Sequence, residues 1–333
     1  MIFVTGGTGL LGSHLLYELS KESEGIRAIY RTENRNNLTK KIFKYYNSEN
    51  WESQFNKIEW VEGDILDIPK LTEQIEANSI VYHCAAMVSF HPKDFNELIR
   101  INRDGTENIV NVCLANNVKK LCYVSSTAAI GGEDNKLLNE DEKWKMSPDT
   151  AGYTISKYSA EKEVWRGIEE GLNAVMINPC LIFGAGRWEE SSLAIFNNVK
   201  KGHRFYPPGS NASVDARDLA SILVMLANSE ISSERFLCIG SNQKFKVLID
   251  EIATQLEVRK PTKLVSRTMV NIARKLIGFT SFFSGKKPAI TKETVNSLFS
   301  NKSYSSNKIE KALGVKFRPL SEQVENTING RIL

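Results

Sequence analysis

The sequence predicts an α/β protein: a doubly wound parallel sheet flanked by helices, followed from residue 180 by a smaller, mainly helical lobe. Three observations carry this expectation. Short apolar runs alternate with helical patterns through the first half of the chain, as strands joined by crossover helices require. The first run, Ile2-Phe3-Val4, is fully apolar, as a strand covered on both faces must be, and leads at once into Gly6, Gly9 and Gly12. From about Cys180 onward the alternation gives way to helices and short strands, with Phe205-Tyr-Pro-Pro-Gly209 breaking the pattern. The expected division is 1–179 for the sheet domain and 180–333 for a lobe interleaved with it.

Composition narrows the class. A chain of 333 residues, 41% apolar and 25% charged, is long enough for a substantial core. A net charge of +4 is small for that length and gives no case for a nucleic-acid partner. The cysteines, Cys84, Cys113, Cys122, Cys180 and Cys238, form no C-x-x-C pair and sit mostly in apolar runs, so buried free thiols in a reducing compartment are expected. Neither a metal site nor an integral membrane segment is expected, since no apolar run approaches the ~18 residues of a span. The first strand begins at Ile2, leaving no room for a cleavable leader. The expected location is cytoplasmic.

Taken in order, strand, glycine turn and helix open the chain. Leu10, Leu11, Leu15, Leu16 and Leu19 recur at helical spacing behind the glycines. Gly6 permits the tight turn, Gly9 lets a pyrophosphate approach the backbone, and Gly12 lets helix and strand pack closely. The free N–H groups of the helix start then favour an anion. The second strand, Ile26 to Arg31, ends without the acidic residue that favours NAD. Arg31, with Arg35 close behind, suits a 2′-phosphate, so NADP is favoured and NAD is the alternative. Residues 36–57 read as a helix with surface loops. A third strand, Ile58 to Glu62, leads to Asp64, placed to accept from an adenine amino group, and Ile65, placed against the ring. The fourth strand, Ser79 to His83, is followed by Ala85 and Ala86, small enough to leave a cofactor space. A long helix from Lys93 to Ala115 carries Asn102 and Gly105. The fifth strand, Lys120 to Val124, closes on Ser125-Ser126-Thr127. After an acidic loop, a helix from Gly152 to about Gly171 holds Tyr153 and Lys157, and a sixth strand, Leu172 to Ile177, is stopped by Pro179. Later, Val265 to Phe283 forms an apolar and basic helical stretch, for which packing on the lobe or a partner subunit is favoured over a membrane surface.

Tyr-x-x-x-Lys sets a phenol and an ammonium one helical turn apart, where the cation can lower the phenol's pKa. The spacing recurs at Tyr17/Lys21, Tyr158/Lys162 and Tyr304/Lys308. Context selects Tyr153 and Lys157, which open a helix after the strand-end hydroxyls; Tyr304 lies in a polar segment.

Together Thr5-Gly-Gly-Thr-Gly-Leu-Leu-Gly12, Gly63-Asp64-Ile65, His83-Cys-Ala-Ala86, Ile101-Asn-Arg-Asp-Gly-Thr106, Val124-Ser-Ser-Thr127 and Tyr153-x-x-x-Lys157 resemble the extended short-chain dehydrogenase/reductase (NAD-dependent epimerase/dehydratase) family. Val214-Asp-Ala-Arg-Asp-Leu-Ala220 extends the likeness loosely towards the end of the chain. The resemblance implies a Rossmann-type sheet and an NAD(P)-dependent oxidoreductase acting on a small-molecule carbonyl or secondary alcohol. It implies Tyr153 as proton donor or acceptor, Lys157 on the nicotinamide ribose, and Thr127 on the substrate oxygen, with Ser126 a rival. The candidate cofactor contacts are Gly6, Thr8, Gly9, Leu10, Leu11, Gly12, Arg31, Asp64, Ile65, Ala85, Ala86, Ser125, Tyr153, Lys157 and Pro179. Asn102 suits a helix-kink role as well as a catalytic one. A homodimer through helices near Lys93 to Ala115 and Gly152 to Glu170 is also implied.

Two departures bear on the substrate. Nucleotide-sugar epimerases of this family usually carry Asn three residues before the glycine that is Gly184 here, and Arg seven before the aspartate that is Asp218; this chain has Leu181 and Asn211. The short loop before Arg217-Asp218 resembles the dihydroflavonol-reductase-like branch. A reductase or dehydrogenase is therefore expected over an epimerase or dehydratase, and over a cofactor-binding sensor without turnover.

Overall fold

The computed structural model describes residues 1–32, 36–147, 150–284 and 290–333, with backbone alone for 278–284; Arg35 lies outside the described residues. β1 (Ile2–Thr5), β2 (Ile26–Tyr30), β3 (Ile58–Glu62), β4 (Ile80–His83), β5 (Lys120–Val124), β6 (Ala174–Pro179) and β7 (Glu234–Cys238) form one wholly parallel sheet. Its spatial order is β7-β6-β5-β4-β1-β2-β3. The order reverses between β1 and β4, and such a reversal opens a crevice at the carboxyl ends of the strands. The register Thr5↔His83 places the polar ends of those two strands level with each other at that crevice.

Alternation along the strands feeds two cores. Val4, Tyr82, Cys122 and Val175 face one way, onto Leu11, Leu15 and Leu19 of the helix Leu10–Glu22 and Leu219 and Leu223 of the helix Ala216–Ala227. Phe3, Val81, Leu121, Tyr123 and Met176 face the other way, onto Ile109 and Val112 of the helix Gly105–Ala115 and Ala160 and Val164 of the helix Gly152–Glu169. Lys120 is buried at the start of β5. Its ammonium donates to the carbonyls of Leu226 and Ser229, 2.7 Å each, and so neutralises the end of the Ala216–Ala227 helix.

Beyond β6 the strands Leu181–Phe183, Ser210–Asp215 and Ser241–Lys244 form a small sheet. Helices Ala194–Lys200, Phe245–Gln255 and Leu320–Asn329 close a separate core around Phe183, Trp188, Phe196, Leu248 and Val324. β7 returns from this region to the edge of the main sheet, so chain order and lobe interleave.

The helix expected from Lys93 to Ala115 is instead composite. A 3₁₀ turn at Pro92–Asp94 and a single α-turn at Phe95–Leu98 precede a π-helical stretch, Ile99–Asp104, before regular helix resumes at Gly105. The wider turn gives the Asn102 side chain room to face loop backbone rather than its own helix. The sixth strand likewise starts at Ala174, not Leu172, and runs through Pro179, where a missing N–H costs least because the strand is ending.

Candidate active site

The turn after β1 is shaped by its own backbone. Gly6 has φ +70°, and a Cβ there would stand 2.6 Å from the Ala85 nitrogen; a Cβ on Gly12 would stand 2.1 Å from the Gly6 carbonyl oxygen. Gly9 differs: it is exposed, and among the described residues a Cβ there would meet only that same oxygen, at 3.3 Å. Gly6 and Gly12 therefore serve the fold, while Gly9 faces open space that a ligand phosphate can enter. The hydroxyls of Ser13 and Thr39 each donate to the Gly7 carbonyl at 3.1 Å and lock the turn. Thr8 is half-buried beside it, and Leu10 and Leu11 pack their side chains into the two neighbouring cores, leaving their backbone N–H groups at the helix start for an anion. The arrangement fits a dinucleotide.

Around that cradle, Arg31 lies exposed at the end of β2, close enough to Glu97 to help hold its carboxyl below the usual range, although the Glu97–Arg100 hydrogen bond does most. The Asp64 carboxylate accepts from the Leu66 N–H at 3.0 Å. Ile65 is buried where a Cβ on Gly105 would stand 2.5 Å from its side chain, so it belongs to the core. Ala85 is half-buried, Ala86 exposed, and Pro179 buried at the end of β6.

A chain of hydrogen bonds runs beneath the crevice. Thr5 Oγ1 lies 2.7 Å from His83 Nδ1, and His83 Nε2 lies 3.0 Å from Thr106 Oγ1. Thr106 donates its own proton to the Asn102 carbonyl at 2.6 Å, so it accepts from His83, which places the imidazole proton on Nε2. Burial pushes the His83 pKa down to about 3, keeping the ring neutral. The Asn102 side chain accepts from the Met87 N–H at 2.7 Å and donates to the Met87 carbonyl and Ser156 Oγ, 2.9 Å each. Ser156 in turn donates to the Tyr153 carbonyl at 2.8 Å. Asn102 thus ties the loop after β4 to the helix that carries Tyr153.

That helix brings three polar groups to the sheet at one-turn spacing: Tyr153, Lys157 and Glu161. The Tyr153 phenol faces the Ser126 hydroxyl; burial raises its pKa, and hydrogen bonding to Ser126 works against the rise. The Lys157 ammonium donates to the Tyr123 hydroxyl and the Val124 carbonyl, 2.9 Å each. Burial lowers its pKa to about 8, and the Glu161 carboxylate opposes that fall. The lowering of the Tyr153 pKa expected from Lys157 is therefore not found in this geometry: burial dominates, and the ammonium is engaged below. The Thr127 hydroxyl is engaged elsewhere: it pairs with Tyr304, whose phenol is buried and pulled partly back down by that bond. Tyr304, discounted on sequence, arrives through the short strand Ser303–Tyr304, which pairs with Leu137–Leu138. Of the other candidates, Tyr158 stacks on Trp144 with ring centroids 4.1 Å apart, and Tyr17 packs against Phe43 and Tyr46.

A model of the NAD dependent epimerase/dehydratase family matches residues 2–240. The chain belongs to that family. A Synechocystis protein named for dihydroflavonol 4-reductase is 32% identical over 183 residues, 55% of this chain. The chain spans about half of that relative, 49% of its length. Sterol demethylase protein B of Methylococcus capsulatus is 27% identical over 243 residues, 72% of this chain and 69% of that protein. The solved structure of gox2253 superposes with a TM-score of 0.79 at 23% identity, covering 98% of this chain and 96% of that one. The NAD(P)-dependent class, the Rossmann-type sheet and the likeness to the reductase branch expected from sequence are all borne out. Among the described residues, no helix is long and apolar enough to cross a membrane.

For this epimerase/dehydratase-family chain, sequence reasoning missed Glu161. Its Oε2 accepts from Ser125 Oγ at 2.6 Å and Asn178 Nδ2 at 2.7 Å, and its Oε1 accepts from Arg235 at 2.8 Å. One buried carboxylate therefore joins the ends of β5 and β6 to β7 and the Tyr153 helix. Ser125, expected on the cofactor, spends its hydroxyl on this bond. The available signal was the spacing itself, a third ionisable residue four positions after Lys157.

Proposed function

We propose that the protein is an NAD(P)-dependent carbonyl reductase or alcohol dehydrogenase in which Tyr153 exchanges a proton with the substrate oxygen. The observation that carries this reading is the facing pair Tyr153 and Ser126 at the carboxyl end of β5, beside an open glycine cradle. A phenol held above its ordinary pKa is protonated at neutral pH and suited to donating a proton to an oxygen that gains charge. Ser126 is placed to orient that oxygen, and Lys157, one turn down the helix, to hold the nicotinamide ribose. When bound, the nicotinamide supplies or takes up hydride. Gly6, Thr8, Gly9 and Gly12, with the N–H groups of Leu10 and Leu11, form the proposed pyrophosphate cradle, while Asp64, Ala85, Ala86 and Pro179 border the rest of the cofactor.

NADP is the proposed form of the cofactor, because Arg31 is exposed at the end of β2 where the ribose 2′-position is expected. Two of the cations that could grip a nucleotide-sugar diphosphate, Arg217 and Arg187, are engaged locally, while Arg204 is exposed. Arg217 pairs with Asp215 at 2.7 Å and Arg187 with Glu190 at 3.4 Å, while Asn211 accepts from the adjacent Ala212 N–H. This supports small carbonyl or secondary-alcohol substrates. The proposed lobe, residues 180–333, covers them.

The test is net loss of nicotinamide absorbance with small aldehydes and ketones. Tyr153→Phe keeps the ring, and turnover should fall roughly 10²–10⁴-fold with cofactor affinity retained. Interconversion of nucleotide sugars without net change in cofactor would overturn the assignment.

A further inference from the structure

The helix Arg267–Ser284 was expected to pack its apolar side on the lobe or on another subunit. Among its described side chains, Arg267 to Ile277, the packing that is seen lies on one face. Val270 is buried, and Arg267 reaches Asn296 and the Phe299 ring of the neighbouring helix Lys292–Phe299. The opposite side carries Met269, Ile272 and Leu276 at helical spacing, exposed to 44%, 55% and 63%. A solvated helix presents polar side chains there; this one presents an apolar stripe. The preceding strand Lys263–Leu264 adds Leu264, 56% exposed.

Charge identifies what the stripe meets. No Asp or Glu occurs from Arg267 to Ser284, while Arg267, Arg274 and Lys275 are cationic. Together with Lys292 they line a groove of about 350 Å³ between the two helices, closed by Asn271, Val295 and Asn296. Arg274 Nε is buried in this region without a hydrogen-bond partner among the described residues, a donor awaiting an acceptor. Lys275, exposed beside Leu276, borders the stripe, so a partner must be apolar where it meets the stripe and anionic at its edge. A water-exposed anionic ligand satisfies only the second condition.

We propose that this helix seats the protein on the surface of an anionic lipid bilayer. Met269, Ile272 and Leu276 enter the acyl boundary, while Lys275 at the edge of the stripe engages headgroup phosphates and Arg267 and Arg274, on the packed side, add to the positive field. With Arg274 and Lys275 mid-helix, the segment lies along the surface and does not span it. The proposal is independent of the reaction assigned above.

Co-flotation of the full chain with phosphatidylcholine vesicles, with and without phosphatidylglycerol, tests it. Binding should require phosphatidylglycerol and weaken several-fold at high salt. Ile272→Gln with Leu276→Gln should reduce it at least about tenfold, and Lys275→Glu several-fold, with thermal stability and soluble-substrate turnover unchanged because these side chains are exposed. Equal binding to neutral vesicles, no binding to either, or binding indifferent to these substitutions would overturn it. So would a dimer that the Gln variants dissociate in light scattering without any vesicle binding, since the stripe would then belong to a second copy of the chain.

Discussion

Glu161→Gln isolates the most deeply tied charge of the site. The carboxylate accepts three hydrogen bonds, from Ser125, Asn178 and Arg235. A glutamine has one carbonyl oxygen, so its NH₂ must face either the Arg235 guanidinium or the Asn178 amide, donor against donor. Removing one partner of a buried ion pair costs about 3–5 kcal/mol. Arg235 keeps a bond to the Glu140 carbonyl, which points to about 3 kcal/mol, the lower end. Unfolding entropy near 2.1 cal/mol/K per residue gives about 0.7 kcal/mol/K for this chain, so Tm should fall by about 4 °C. The pH dependence adds a second signature. Lys157 is held down to about 8 in the folded protein against an ordinary 10.5. The unfolded chain therefore binds more protons between those values, and stability from this group rises with pH across that window. Without the opposing carboxylate the folded pKa drops further, so the deficit of the variant should be larger at pH 7 than at about pH 9.5. Scanning calorimetry at the two pH values measures both. An unchanged Tm, or a deficit that grows with pH, would refute the reasoning.

Three further outcomes follow from the site. Ser126→Ala should lower kcat by about 10-fold or more, the worth of a positioned hydrogen bond, whereas Thr127→Val, whose hydroxyl serves Tyr304, should cost less; the reverse order in steady-state kinetics would return the substrate contact to Thr127. Arg31→Ala should weaken NADPH binding by about 1–2 kcal/mol and leave NADH unchanged, and equal affinities of the parent protein in fluorescence titration would refute the 2′-phosphate role. Gly12→Ala sets a methyl against the Gly6 carbonyl and should abolish cofactor binding and lower thermal stability, while Gly9→Ala should impair binding with thermal stability kept, as calorimetric titration and melting would show.

The strand ends and the glycine turn were legible because their chemistry is local. A Cβ does or does not fit at Gly6 and Gly12, and small residues after β4 leave space wherever they occur. The side of the Ser-Ser-Thr run that faces Tyr153 was not legible. Ser126 caps the 3₁₀ turn Thr127–Ala129 and accepts from the Ala128 N–H, and this turn decides which hydroxyl points where. Tyr304 was hidden for a different reason. It reaches Thr127 only because two dipeptide strands far apart in sequence pair, and neither is long enough to carry a pattern. Glu161 looked like any solvated helix carboxylate, since burial of a charge shows only once Arg235 arrives from β7.

The Gly7 carbonyl is held by Thr39, and the helix bearing Thr39, Asn37–Tyr46, is itself anchored by residues near the other end of the sequence. Leu38 and Ile42 share a core with Ala185 and Ile332, and the Asn326 amide donates to the Tyr46 hydroxyl at 3.0 Å. A ribosome making this chain reads the glycine turn first and its anchors last. The nucleotide cradle consequently stays unfinished until residues 326–332 have emerged, and a nascent chain halted after β6 should gain no protection from NADPH in a proteolysis assay.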